Sequence, residues 1–270
     1  MKTLDESIAF AMDAGQDTEI IPFLPYILQD FWELGTPPDV VINLVQRNCT
    51  DYTSLEVLDL GCGKGAVSVK LAAALGCNCY GIDGIPEFVE ASKSKAREYG
   101  VEKLCRFEAG DIRTRLDELG KFDVIIFGAT GPIFDDYHTT LTAISKHLSE
   151  KGIVVIEEGY FDDSSAFQHP VYSFRRDLLK QFEKAGMKLV DETACKYGEI
   201  SDIAKEMKDL TARCNELKLR YPEKSSLFDN YVQNQATEFD ILETKMEGSI
   251  MVLRLNMTRR VTGLATSRKY

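Results

Sequence analysis

A short apolar run carrying one carboxylate leads directly into three glycines at alternate positions, since residues 57–65 read VLDLGCGKG. Glycine has no Cβ, so these three positions can adopt positive φ and let the backbone pass within van der Waals contact of a bulky ligand. The run 56–60 predicts a short buried strand, and the helical spacing of 66–75 predicts a helix directly after the glycines. A strand, a glycine turn and a helix form the opening unit of a nucleotide-binding α/β sheet.

The spacing of the glycines argues against two common phosphate-binding loops. Gly-x-Gly-x-Gly departs from the Gly-x-Gly-x-x-Gly pattern that places a dinucleotide pyrophosphate on a helix N-terminus. Lys64 is followed by Gly65 and Ala66, so the Gly-Lys-Ser/Thr ending of a P-loop is also missing. A tight turn that binds no ligand is the alternative interpretation of this motif taken alone.

Two further predicted strands are each followed by a carboxylate. The segment 77–83 predicts a second strand ending in Asp83, about 20 residues beyond the glycines, where a ribose-binding acid is expected. The segment 104–108 predicts a third strand followed by Asp111. Either carboxylate could instead act as a helix N-cap, Asp83 for a helix starting at Pro86 and Asp111 for one over 113–119.

A fourth strand is predicted over 122–128, a nearly continuous hydrophobic run of the kind buried on both faces of a parallel sheet. The small, turn-forming residues 128–132 follow it and leave space for a ligand at its end.

Together these segments resemble the class I S-adenosylmethionine-dependent methyltransferases, whose first motif is an acidic residue followed by Gly-x-Gly-x-Gly. The resemblance is specific over about 55–158, and the segments 127–130 and 157–160 resemble uncharacterised bacterial small-molecule methyltransferases. It implies S-adenosylmethionine as cofactor, S-adenosylhomocysteine as product, and SN2 transfer of the methyl group to a small-molecule acceptor.

The resemblance also implies roles for individual residues. The glycine loop would wrap the amino acid part of the cofactor, Asp83 would bind the ribose, and Asp111 would face the adenine amine with Ile112 packed on the ring. The cofactor-binding residues implied are Asp59, Gly61, Cys62, Gly63, Gly65, Asp83, Gly84, Asp111, Ile112, Gly128, Ala129 and Thr130.

The predicted fold is α/β and doubly wound, with a mostly parallel seven-stranded sheet, an antiparallel last strand and helices on both faces. Four parts are expected: an N-terminal helical cap (1–51), a Rossmann-like core (52–196), a helical insertion (197–247), and the last strand with a tail (248–270). The remaining predicted elements are helices over 137–148 and 171–185 and strands over 152–158, 187–194 and 249–256.

The parts outside the core are expected to select the substrate. The aromatic-rich stretch 20–32 predicts an amphipathic helix over the cofactor, and Trp32 either anchors it to the core or contacts substrate. The insertion between strands six and seven predicts two helices, 201–219 and 226–242, broken at Tyr221. It could serve as a lid over the site or as a dimerisation arm, so a homodimer is one possible assembly.

Composition narrows the classes of partner. Lysine and arginine number 32 against 43 acidic residues, a net charge of -11, so the chain is expected to repel nucleic acid phosphates. Seven cysteines with neither a signal peptide nor a membrane-spanning apolar run predict a reducing cytoplasm and no membrane partner. Cys77 and Cys79 share one strand face and are expected to pack in the core, so no metal site is predicted.

A catalytic base is expected after strand four or strand five. His138 is the first choice, because imidazole titrates near neutral pH, and Glu158 is the second. Other candidates are Asp135, Asp136, Glu157 and Tyr160. His138 could instead face solvent, with Asp135 as the N-cap of its helix. Two alternative functions are a cofactor-binding interaction protein without catalysis and an NAD-dependent oxidoreductase.

Overall fold

The structure, a computed structural model, describes residues 2–167, 169, 171–195 and 202–256. Its centre is one seven-stranded sheet in the order β3-β2-β1-β4-β5-β7-β6. The strands are β1 (Glu56–Leu60), β2 (Asn78–Asp83), β3 (Cys105–Ala109), β4 (Phe122–Phe127), β5 (Leu148–Tyr160), β6 (Met187–Ala194) and β7 (Glu247–Leu255). The predicted tail, 257–270, and the start of the predicted insertion, 197–201, lie outside the described residues.

The sheet has the predicted mixture of strand directions. Strands β1 to β5 pair in parallel, and β7 lies antiparallel between β5 and β6. The predicted seven-stranded fold is therefore confirmed. The prediction placed the start of strand five too late: β5 begins at Leu148, because that residue already pairs with Phe122 before an irregularity in register.

The helices are α1 (Leu4–Ala11), α2 (Leu24–Ile27), α3 (Pro38–Asn48), α4 (Ala66–Leu75), α5 (Pro86–Glu98), α6 (Ile112–Arg115), α7 (Tyr137–Ile144), α8 (Arg175–Lys184), α9 (Ile203–Arg220) and α10 (Ser225–Thr244). Helices α9 and α10 confirm the two predicted insertion helices, with a break at Tyr221 and Pro222. Helix α8 starts later than predicted because Phe174 is extended and bridges to Phe161.

The single amphipathic helix predicted over 20–32 is wrong. The chain there forms a 3₁₀ helix, Thr18–Phe23, followed by the single α-helical turn of α2 and then by turns. Pro22 and Pro25 lie inside this stretch. Each proline removes a backbone donor and restricts the preceding residue, so a continuous helix cannot run through both.

Three hydrophobic clusters build the interior. One lies on each face of the sheet, packed under α3 and α4 on one side and under α7 and α8 on the other. The third joins the N-terminal cap to the helical insertion and includes Ile20, Leu24, Phe88, Leu210 and Phe228. We call α1, residues 18–34, α9 and α10 together the cap–insertion unit.

No helix in the described ranges is both long enough and apolar enough to cross a membrane.

Candidate active site

A cavity of about 1070 Å³ opens at the carboxyl ends of the parallel strands and extends beneath the cap–insertion unit. Pockets for a single small ligand usually measure roughly 300–1,000 Å³, so this cavity has room for a cofactor and a second molecule. All the predicted cofactor-binding residues except Gly65 line it, and so does Glu158. The sequence therefore identified one wall of the site.

The glycine loop that links β1 to α4 forms the floor of the cavity. Gly61, Gly63 and Gly65 have φ values of +77°, +52° and +73°, a region that residues with a side chain rarely adopt. A Cβ at Gly61 would overlap the side chain of Thr130, and one at Gly65 would lie 2.8 Å from the Cβ of Ser92. Both conformation and space thus require glycine at Gly61 and Gly65.

Asp83 ends β2 and is 9% exposed. Its Oδ2 accepts a hydrogen bond from the Gly63 amide at 2.8 Å, and its Oδ1 accepts one from the Ile85 amide at 2.9 Å. Each carboxylate oxygen has two lone pairs, so each retains capacity for a further donor from the cavity. Burial raises the pKa of this carboxyl. The capping alternative is wrong, because the N-cap of α5 is Ile85 and makes no side-chain cap hydrogen bond, whereas Asp83 bonds to the Ile85 amide and lines the cavity.

Asp59 lies beneath the glycine loop and is 3% exposed. Its Oδ2 accepts a hydrogen bond from the Ser68 hydroxyl at 2.6 Å, and burial raises its pKa to about 6. Cys62 also lines the cavity, and burial raises the pKa of its thiol, so it remains protonated near neutral pH.

Asp111 acts as the N-cap of α6, accepting a hydrogen bond from the Arg113 amide at 2.9 Å. The Arg113 guanidinium also pairs with this carboxylate, with 2.7 Å between Nη2 and Oδ2, and lowers its pKa. The capping alternative is thus present in the structure. Asp111 and Ile112 nevertheless both line the cavity.

Lys64, in the middle of the glycine loop, ties the cap to the floor of the cavity. It is 7% exposed, and its Nζ donates to the carbonyls of Leu28 and Phe31, the second at 2.6 Å. In return the Trp32 indole Nε1 donates to the Lys64 carbonyl at 3.0 Å. Burial lowers the pKa of Lys64 to about 8. The indole nitrogen of Trp32 thus anchors the cap to the glycine loop. Anchoring the cap to the core is one of the two roles predicted for this residue.

Glu157 holds the turn that follows β4. The Thr36 hydroxyl donates to the buried Glu157 carboxylate, and the Ala129 amide donates to the Thr36 Oγ1 at 3.2 Å. A Cβ at Gly128 would collide with that same threonine oxygen. The residues 128–130 are therefore positioned by a contact from the cap.

Among the described residues, His138 does not belong to the cavity wall; it lies half-exposed on α7. The N-cap of that helix is Asp136, which accepts from the Thr139 amide at 2.7 Å, so the expectation that Asp135 caps it is wrong. Tyr160 is buried away from the cavity, near Glu192. The other candidate bases all line the cavity: Asp135, Asp136, Glu157 and Glu158.

The far end of the cavity contains three acidic residues, Asp13, Glu158 and Glu238, together with Tyr172; we call these four the carboxylate cluster. The Tyr172 hydroxyl donates to Glu238, and Asp13 accepts from Gln235 Nε2 at 3.3 Å. Burial raises the pKa of Asp13 to about 7 and that of Glu158 to about 8, and the negative charge of Glu238 adds to both shifts.

Of this cluster, only Glu158 was predicted from the sequence as a site residue. Asp13, Tyr172 and Glu238 come from the cap, the loop after β5 and helix α10, which no local motif connects. The contacts between cap and insertion bring them together. Within the described ranges, no group of three or more histidine, cysteine, aspartate or glutamate residues is arranged to hold a metal ion.

Known proteins with this fold include a methyltransferase from Geobacter sulfurreducens in complex with S-adenosylhomocysteine. It is 17% identical, with a TM-score of 0.70, covering 87% of this chain and 98% of that one. A cyclase, SpnF, is also 17% identical, with a TM-score of 0.68, covering 94% of this chain and 97% of that one. These likenesses concern the fold, which by itself does not fix the reaction.

Curated relatives match the core. The ubiquinone biosynthesis O-methyltransferase of Rickettsia canadensis is 26% identical over 121 residues, which are 44% of this chain and 48% of that protein. The norajmaline N-methyltransferase of Rauvolfia serpentina is 34% identical over 70 residues, which are 26% of this chain and 24% of that protein. The chain thus spans about half the length of the first relative and less of the second.

The methyltransferase domain family matches residues 52–212, more than half of the chain, from the turn before β1 into helix α9. This match confirms the class of protein that the glycine loop and the following strands predicted, with S-adenosylmethionine as its cofactor. The chain belongs to the methyltransferase domain family.

Proposed function

We propose that this protein transfers a methyl group from S-adenosylmethionine to a small molecule enclosed beneath the cap–insertion unit. The observation that carries the proposal is the continuous cavity of about 1070 Å³, which runs from the glycine loop to the carboxylate cluster. A large acceptor such as a nucleic acid is not favoured, because the cavity is roofed and the net charge is -11. The names of the O- and N-methyltransferase relatives agree with a small acceptor.

The residues at the loop end suit this cofactor chemically. Asp83 keeps one free lone pair on each oxygen for two hydroxyl donors, the arrangement that a ribose presents. The glycine loop brings backbone rather than side chains to the cavity floor, so a bulky amino acid moiety can lie close to it. We assign ribose contact to Asp83 and adenine contact to Ile112.

When bound, the cofactor supplies a methyl group already activated by a positively charged sulfur. The protein therefore has to position the acceptor and, for a poorly acidic nucleophile, to take up a proton. The Thr36–Glu157 contact fixes the turn 128–130 beside the transfer site. Glu158 is our candidate base, because it lines the cavity and has a pKa raised to about 8.

The cap–insertion unit acts in this proposal as a lid rather than a dimerisation arm. Its apolar residues already form a hydrophobic cluster inside the chain, and Arg213 of α9 pairs with Asp30 of the cap at 2.7 Å. All seven cysteines are free thiols, which agrees with the predicted reducing cytoplasm.

Thermal shift and calorimetry with S-adenosylmethionine, S-adenosylhomocysteine and NAD test the cofactor. We expect stabilisation by the first two and none by NAD, because the glycine spacing does not suit a pyrophosphate. Methyl transfer to a panel of metabolites then tests catalysis. A shift with NAD alone would overturn the proposal, and tight S-adenosylhomocysteine binding without turnover on any acceptor would favour the non-catalytic alternative.

A further inference from the structure

The residues that the structure describes give the carboxylate cluster no ion-pair partner. Within the described ranges, no lysine or arginine forms an ion pair with Asp13, Glu158 or Glu238. The negative charge of Glu238 acts on Glu158, and the charges of Glu238, Asp13 and Glu158 all act on Tyr172. His169 also lines the cavity and stacks on Tyr172, with ring centroids 5.4 Å apart.

Without a ligand, this grouping of carboxylates raises the free energy of the folded protein. The three carboxylates are half-buried in the cavity wall, and carboxylates withdrawn from water are normally paired with a cation or keep their proton. The raised pKa values of Asp13 and Glu158 mean that these two carboxyls keep their protons up to a higher pH. A positively charged group in this part of the cavity would favour the ionised forms and remove that cost.

A tyrosine hydroxyl next to the cluster supports the presence of a ligand independently. Tyr231 on α10 is 2% exposed and lines the cavity. Its hydroxyl makes no hydrogen bond to any group that the structure describes, and the charge of Asp13 helps to raise its pKa. A tyrosine hydroxyl that lines a cavity without a hydrogen-bond partner is expected to bond to a molecule held in that cavity.

We infer that the acceptor is a small amine that binds as its ammonium ion between Asp13, Glu158 and Glu238, and that its nitrogen receives the methyl group. This inference rests on the proposed methyltransferase function and narrows it to N-methylation. An ammonium group has several N–H donors, which matches three carboxylates and a tyrosine oxygen converging from different elements. These groups come from the cap, β5 and α10 rather than from one element. We therefore expect the site to select its ligand by positive charge and not by a planar shape.

The chemical step balances without any other reagent. A proton passes from the ammonium nitrogen to a carboxylate oxygen of Glu158, which frees the nitrogen lone pair. That lone pair forms the new C–N bond as the C–S bond breaks, and its electrons remain on sulfur as a neutral thioether. The alkylammonium, whose pKa is about 10 like that of lysine, favours the ionised form of Glu158 when it binds, so a carboxylate is present to accept the proton.

Calorimetry on the full-length chain saturated with S-adenosylhomocysteine tests the inference. The probes are phenethylamine, tryptamine and cyclohexylamine, each compared with the alcohol and the carboxylate of the same carbon skeleton. We expect at least one amine to bind at least about 10-fold more tightly than its alcohol, and the carboxylates not to bind. Equal or better binding of alcohols or carboxylates, or binding of no amine at all, would overturn it.

Variants identify the groups responsible. Glu238→Gln and Asp13→Asn should each weaken amine binding by about 10-fold while leaving the affinity for S-adenosylhomocysteine within about twofold. Glu158→Gln should abolish N-methyl product, measured by mass spectrometry, more than it weakens amine binding. Glu243→Gln, at an exposed position on the same helix as Glu238, is the matched control and should change neither.

The result separates the two proposals. If S-adenosylhomocysteine does not bind, the proposed function fails. If it binds and amines do not, the function stands and the amine inference fails. Stabilisation by Mg²⁺ or Mn²⁺ that Glu238→Gln removes, without amine binding, would also contradict the amine inference and indicate a metal site.

Discussion

The two ends of the cavity are built on different physical principles. At the glycine-loop end the polar groups are satisfied by the protein itself, as when Asp83 accepts from two backbone amides and Asp59 from Ser68. At the far end Asp13, Glu158 and Glu238 meet without a cation from the described chain. The first end is thus preorganised, whereas the second leaves its charge balance to the ligand.

The largest effect is expected from Gly61→Val at the preorganised end. The φ of +77° is unfavourable for a β-branched residue by roughly 1–2 kcal/mol, and the new Cβ would overlap Thr130. The turn that positions the cavity floor must then shift. We expect the affinity for S-adenosylhomocysteine, measured by calorimetry, to fall by at least about 100-fold, which corresponds to about 2.7 kcal/mol.

A matched control is Gly120→Ala, because Gly120 has no positive φ and a Cβ there would meet nothing within 4 Å. It should bind S-adenosylhomocysteine like the unaltered protein. Retention of binding by Gly61→Val would mean that the ligand does not lie against this loop, and the contrast between the two ends would be lost.

The same contrast explains how much the sequence could predict. The positions of Asp59, Gly61, Asp83 and Asp111 follow from local patterns, because each lies where a predicted parallel strand ends and all such ends meet at one sheet edge. The sheet and the glycine-loop wall of the cavity were predictable for this reason. Hydrophobic periodicity also sufficed for α9 and α10.

The far end of the cavity depends on contacts between segments that are distant in the sequence. No local sequence pattern encodes such contacts. Asp13 and Glu238 approach each other only because the cap and the insertion share one hydrophobic cluster. In the sequence, Lys64 was distinguished only by its place in a glycine motif. In the structure its buried ammonium group donates to two carbonyls and organises the cap. His138 follows a strand end in the sequence, but the rotation of α7 decides which way its side chain faces, and it lies outside the described cavity wall.

The next effect is expected from Lys64→Met, which removes the hydrogen bonds that join the glycine loop to the cap. Methionine keeps the apolar stem, but the carbonyls of Leu28 and Phe31 lose a charged donor. A hydrogen bond to a charged group contributes about 1.5–3 kcal/mol, so we expect the free energy of unfolding in urea to fall by about 3 kcal/mol. Amide hydrogen exchange should accelerate over 24–34.

Lys93→Met on α5 is the control, because Lys93 makes only an exposed pair with Glu90 at 2.8 Å. Such a pair contributes about 0–1 kcal/mol. Similar losses in the two variants would indicate that the buried link is no stronger than a surface ion pair and that the cap is held by apolar packing alone.

The smallest effect is a dependence of stability on pH, to which Glu158 contributes at the far end of the cavity and Asp59, with a pKa raised to about 6, contributes at the glycine-loop end. The pKa of Glu158 is raised from 4.5 to about 8, so between these values the folded protein keeps a proton that the unfolded chain has released. The free energy of unfolding must therefore fall as pH rises through this window, by about 2 kcal/mol between pH 5 and about pH 6.5. Asp13, with a pKa raised to about 7, acts in the same direction.

Urea unfolding at several pH values measures this dependence. Glu158→Gln has no proton to lose, so its stability should change less with pH than that of the unaltered chain. Glu243→Gln, an exposed site on α10, should keep the original slope. If Glu158→Gln and the unaltered chain had equal slopes, the Glu158 carboxyl would have an ordinary pKa, because solvent or a cation already stabilises its charge. The carboxylates at the far end of the cavity would then have their charge stabilised before a ligand binds, as the polar groups at the glycine-loop end do.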